Sequence, residues 1–129
     1  LTGKTSQFGS LEELVSLSKK VDSCKPCMDF SHLYARTSKY NSYDEFCGVL
    51  EDLRDNVSPT SLKNMHIHVS GVKISSKGDL KHVNLDQSKF NWKDLMKALK
   101  DFDCAGYCIA NSPNLEKDAI MMKNYYMSL

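Results

Sequence analysis

Leu11, Leu14, Val15 and Val21 recur at near-helical spacing behind Ser10, and Glu13 three residues after that serine completes a capping box. The pattern predicts a helix over about 11–22. Lys25-Pro26 interrupts it, and Cys27, Met28 and Phe30 form a short apolar run, which predicts a buried strand ending near Asp29. Ser42 and Glu45 repeat the capping box. Behind them Tyr43, Phe46, Cys47, Leu50, Leu53 and Val57 advance by threes and fours, the clearest helical periodicity in the chain, until Ser58-Pro59 ends it. Met65, Ile67 and Val69 then alternate with His66, His68 and Ser70, the period of a strand that sets both imidazoles on one face.

From Gly71 to Lys89 the chain reads as one polar loop, long enough to suggest function rather than mere connection. Asn91 caps a helix carrying Trp92, Leu95, Met96, Leu99 and Phe102. Ala105 to Ala110 reads as a buried strand, and Ser112-Pro113 opens a last helix with proline in its favoured first turn. The order helix, strand, helix, strand, helix, strand, helix predicts an α/β fold of parallel strands each followed by a helix.

Composition adjusts this picture in two respects. With 129 residues, 41% hydrophobic and 26% charged, the chain has the make-up of one globular domain with a core. An eightfold βα barrel takes about 250 residues, so the length accommodates roughly half of one. The net charge of +1 neither demands nor excludes a polyanionic partner. Five cysteines form an odd set, and Cys47, Cys104 and Cys108 lie inside apolar runs typical of reduced cores, which points to the cytoplasm. No charged leader precedes an apolar segment and no run approaches about 18 apolar residues, so neither secretion nor a membrane partner is expected. The first residue is Leu1 rather than methionine, which leaves a longer parent chain open.

In parallel βα architectures functional groups gather at the carboxyl ends of the strands. Asp29 and His32 end the first strand here, His66 and His68 lie on the second, His82 follows it, and Asn111 ends the third. Neutral imidazole and carboxylate are the ligands Zn²⁺ takes, and the Asp-Phe-Ser-His run from Asp29 can aim two of them at one ion. Taken singly, each has an ordinary structural alternative: a helix cap for Asp29, a hydrogen-bonded histidine on a strand, a solvated His82. The histidines gain weight from their company. Arg36, Lys39, Lys73, Lys77 and Lys81 sit in the same class of loops and suit phosphates, although loop charges are commonly just solvated. Cys24-Lys25-Pro26-Cys27 has CxxC spacing but precedes a strand, where the redox motif follows one, so it reads as structural or incidental.

Four ordered motifs, Thr2–Ser10, Cys27–His32, Met65–Gly71 and Asn111–Glu116, together resemble the archaeal-type endonuclease IV family. The resemblance covers essentially the whole chain. It implies that residues 1–129 are one partial domain, the C-terminal half of a (β/α)8 TIM barrel: strands six to eight with their helices, preceded by the loop and helix after strand five. It further implies a metal-dependent phosphodiesterase that incises DNA at abasic sites, using Zn²⁺, with Mn²⁺ the alternative, in a cluster of up to three ions in a complete barrel and fewer here. Asp29, His32, His66 and His82 match family ligand positions, and His68 falls where the family varies.

Two positions depart from that pattern. Leu80 stands where the family has an aspartate, leaving Asp79 as a displaced substitute, and Asn111 stands where it has a bridging glutamate, although an amide bridges cations poorly. Gln7, Arg36, Lys39, Lys73 and Lys81 are the candidates for DNA contact. The remaining ligands of such a cluster belong to the N-terminal half of the barrel, so the expected partners are that half, or a second copy of the chain, together with abasic-site DNA. Other readings are a catalytically degenerate half barrel that still holds metal, and a sugar isomerase relative of the same superfamily.

Overall fold

The computed structural model describes residues 4, 6–74 and 80–129. Its elements in order are helix α1 (Leu11–Lys20), strand β1 (Cys27–Asp29), helices α2 (Phe30–Thr37) and α3 (Tyr43–Asn56), strands β2 (Met65–Val69), β3 (Gly71–Ile74) and β4 (Leu80–Val83), helix α4 (Trp92–Asp101), strand β5 (Gly106–Ala110) and helix α5 (Glu116–Ser128). Single 3-10 turns at Ser61–Lys63 and Leu85–Gln87 join them.

The central sheet is parallel, in the order β1-β2-β5. Met28, Met65, Ile67 and Val69 point from it into a core shared with Leu33, Phe46, Leu50, Leu53, Leu95 and Leu99 of the helices. Three phenyl rings centre that core. Phe46 packs edge-on to Phe30 at 5.8 Å and to Phe90 at 6.0 Å, a geometry aromatic pairs prefer because ring edges and faces carry opposite partial charge. Helices therefore cover one face of the sheet. The other face carries Cys27 and Asp29 of β1, aligned with His66 and His68 of β2 and, beyond those, with Tyr107 and Ile109 of β5. This layering is a piece of barrel wall, helices outside and polar strand residues inside.

The capping box at Ser10 and Glu13 forms as the spacing predicts: the serine hydroxyl accepts the Glu13 N–H while the Glu13 carboxylate accepts the N–H groups of Ser10 and Gly9. α1 ends at Lys20, two residues early. Elsewhere the structure departs from the sequence reading. The polar loop of 71–89 contains an antiparallel hairpin, β3 against β4. Gly71 lets it close, since a Cβ there would overlap the carbonyl oxygens of Val83 and Asn84. A helix not expected from periodicity, α2, begins directly after Asp29. The final helix starts at Glu116 rather than at the proline, because Leu115 adopts a positive φ of 56° that no helix can include.

The strand read as buried at 105–110 is exposed on β5, with Tyr107 at 75% and Ile109 at 41% exposure. Cys108 is exposed with it, and Cys47 and Cys104 are only half-buried, so none of the three belongs to a sealed core. Polar anchors fix the loops near the strand ends: the Ser31 hydroxyl accepts the Ser70 N–H at 2.7 Å, and buried Asp118 accepts the Leu85 N–H at 2.8 Å. Among the described residues, no helix is long and apolar enough to cross a membrane.

Candidate metal centre

Asp29 ends β1 and caps α2. One carboxylate oxygen accepts the His32 backbone N–H at 2.9 Å, and the other stands 2.9 Å from His32 Nδ1. The cap alone explains why α2 begins here; the second contact aligns the ring. His32 Nε2 in turn faces His82 Nε2 at 3.0 Å, with the ring centres 5.1 Å apart. His82 comes from β4, and its Nδ1 lies 3.3 Å from the backbone oxygen of Asn111.

These partners favour one tautomer. A carboxylate and a carbonyl can only accept, which favours the proton on both Nδ1 atoms and leaves the Nε2 lone pairs facing each other. Two lone pairs 3.0 Å apart repel unless a proton or a cation lies between them. Two imidazoles on one Zn²⁺, each about 2.0–2.1 Å from the ion, place their nitrogens roughly 2.8–3.4 Å apart for angles between square and tetrahedral. A carboxylate behind a ligating histidine is also the usual supporting arrangement. The donor set and its geometry fit a divalent ion.

A second group lies on the same face of the sheet. His68 Nε2 stands 3.3 Å from His66 Nε2, ring centres 5.1 Å apart, and the Cys27 sulfur completes a triplet whose ligand atoms all lie within 4.8 Å of one another. The Asn111 side-chain nitrogen stands 2.7 Å from His68 Nδ1. Partial desolvation holds the Cys27 thiol above its ordinary value although the residue as a whole is exposed, and the Asp29 carboxylate adds to the effect.

The structure thus divides the histidines into two pairs, His32 with His82 and His66 with His68, and sets Asn111 between them. Asp29 serves His32. Lys77 and Asp79 lie outside the described residues, and Leu80 packs against the core. Lys73 and Lys81 are cross-strand partners on the hairpin face opposite His82. Arg36 donates to the Lys4 carbonyl oxygen, and Gln7 and Lys39 are exposed. Cys27 was missed from sequence as a site residue. Its signal was the spacing Cys27-x-Asp29 opposite His66-x-His68, which puts a thiol beside an imidazole only once the strand register is known. A cavity of about 460 Å³ lies elsewhere, on the helix side of the sheet between α4, α5 and β5, lined by Met65, Ile67, Leu99, Cys108 and Met122.

A family model described as a xylose isomerase-like TIM barrel matches residues 1–124. The chain is 42% identical over 129 residues to a protein of Methanocaldococcus jannaschii, "Uncharacterized protein MJ0133", covering 99% of this chain and 47% of that one. It therefore spans about half the length of this curated relative. No solved structure matches the chain at a significant level.

Proposed function

The chain belongs to the xylose isomerase-like TIM barrel family, and from that premise we propose that it is the metal-holding C-terminal part of an endonuclease IV-like phosphodiesterase acting on abasic-site DNA in the cytoplasm. The observation that carries the metal reading is the facing Nε2 pair of His32 and His82, both Nδ1 atoms being committed to acceptors. A divalent ion held there supplies Lewis acidity and neutralises charge on a phosphodiester.

The residues of the chain do the holding. Asp29 fixes the His32 ring and, through the cap, the start of α2. The hairpin carries His82 across to it. Lys73 and Lys81, directly opposite on the outer hairpin face, repel each other, and a phosphate backbone against that face relieves the repulsion. The segments Gln7-Phe8-Gly9 and His66-Ile67-His68 favour the nuclease over the sugar isomerases of the same family. The partner in this reading is the N-terminal half of the barrel, which supplies the remaining ligands.

A second reading is a half barrel that keeps metal and has lost hydrolysis. Asn111 favours it, because its amide engages His68 in place of a bridging carboxylate. One assay separates the two. The 129-residue chain is expected to bind Zn²⁺ and to leave an abasic-site duplex uncut, and addition of the N-terminal half is expected to give incision that EDTA abolishes. Absence of incision by the pair sinks the nuclease reading and leaves the degenerate one. Failure to bind Zn²⁺, tested with His32→Ala and His82→Ala beside the parent, sinks both.

A further inference from the structure

We propose that Cys27, His66 and His68 form a second metal site, distinct from the His32–His82 pair, which takes one Zn²⁺ or a similarly soft divalent ion through a thiolate and two imidazoles.

Parallel pairing aligns Cys27 with His66, and His66 and His68 share a face because side chains alternate along a strand. All three groups therefore rise from two adjacent strands of the central sheet, a backbone held by ladder hydrogen bonds rather than by a loop. The His66 and His68 Nε2 atoms, 3.3 Å apart, already stand at the spacing of about 3.3–3.4 Å that two nitrogens take on a tetrahedral Zn²⁺. The sulfur lies within 4.8 Å of both nitrogens and closes on the same ion by moving toward them.

The donor set selects the metal. One thiolate and two imidazoles match Zn²⁺ and Co²⁺, whereas Mg²⁺ and Ca²⁺ require oxygen. Three protein ligands leave a fourth position open, the coordination of reactive rather than purely structural sites. Asn111 supports the arrangement from behind: with an ion on His68 Nε2 the ring proton moves to Nδ1, and the amide turns to present its oxygen, exchanging one hydrogen bond for another. Binding releases the thiol proton to solvent as the sulfur–metal bond forms, so affinity rises with pH.

The test is titration of the full chain with Co²⁺, followed by the thiolate-to-cobalt charge-transfer band and by total stoichiometry, with Zn²⁺ as competitor. Two equivalents are expected, one of them giving the band. Cys27→Ser is expected to lose the band and one equivalent; His66→Gln and His68→Gln are expected to lose or strongly weaken it, with circular dichroism confirming the fold. His32→Ala and His82→Ala should keep the band and lose the other equivalent. A single equivalent that carries the band and survives His32→Ala upholds this site while removing the first. Absence of the band in the parent chain, or its persistence in Cys27→Ser, overturns the proposal.

Discussion

The side-chain nitrogen of Asn111 stands 2.7 Å from Nδ1 of His68, while the backbone oxygen of the same asparagine lies 3.3 Å from Nδ1 of His82. One residue thus reaches both histidine pairs, the first through its amide and the second through its main chain. Asn111→Ala removes only the first contact. We expect it to weaken metal binding at Cys27, His66 and His68 by about 10- to 100-fold, the usual cost of losing a supporting partner, and to leave binding at His32 and His82 unchanged. Metal titrations of the variant read the two effects separately; equal losses at both sites would show that the main-chain contact depends on the amide.

Asp29 has two duties that substitution can separate. Asparagine still caps a helix, but its amide nitrogen cannot accept the proton of His32 Nδ1. Asp29→Asn should therefore lower affinity at the His32–His82 pair by about 10- to 100-fold with little change in stability. Asp29→Ala should add a loss of about 0.5–2 kcal/mol from the missing cap. Chemical denaturation beside metal titration resolves the two, and identical stabilities for the variants would remove Asp29 as a cap.

At Gly71 there is no room for a side chain against the carbonyls of Val83 and Asn84. Gly71→Ala should cost about 1–3 kcal/mol, as overpacking does, and should weaken metal binding through displacement of His82, which lies on the strand that must move. An alanine variant with parental stability and affinity would contradict the close approach.

The α1 capping box sets an acid limit. Backbone N–H groups of Ser10 and then Gly9 hold the Glu13 carboxyl below its ordinary 4.5. Because the folded value is depressed, the stabilisation is present at neutral pH and is lost as pH falls below 4.5 through the folded value. Glu13→Gln should flatten that part of the pH–stability curve, and Ser10→Ala should cost about 1 kcal/mol at neutral pH. Denaturation series at descending pH test both; an acid limb unchanged by Glu13→Gln would place its origin elsewhere.

Much of this arrangement was legible in the chain itself. Steps of three and four mark α3 and α4, and alternation around Ile67 sets His66 and His68 on one face. The misses have physical causes. Helix α2 escapes the pattern because Phe30, Leu33 and Tyr34 make an apolar stripe of barely two turns behind the Asp29 cap. In the hairpin, Val72 and Ile74 alternate with Lys73, and Leu80 and Val83 flank Lys81 and His82, but four residues a side are too few to stand out against so much charge. The exposure of Tyr107 and Ile109 was beyond local patterning, because a strand's residues do not reveal what covers them. Cys27 became a site residue only through strand register, which no single segment encodes.

The register also bears on how the chain would take up a metal. Cys27 pairs with His66, and His66 with Tyr107, so each ladder joins positions roughly 40 residues apart and cannot form until the intervening helices have collapsed. Such topologies pay the entropy of closing long loops before their contacts reward it, which makes folding slow. We expect the ligands of the sheet to converge late, after the barrier rather than on the way up to it. Metal added to the folding chain should leave its refolding rate almost unchanged and act instead as a lock on the finished protein, slowing unfolding in proportion to the affinity it gains.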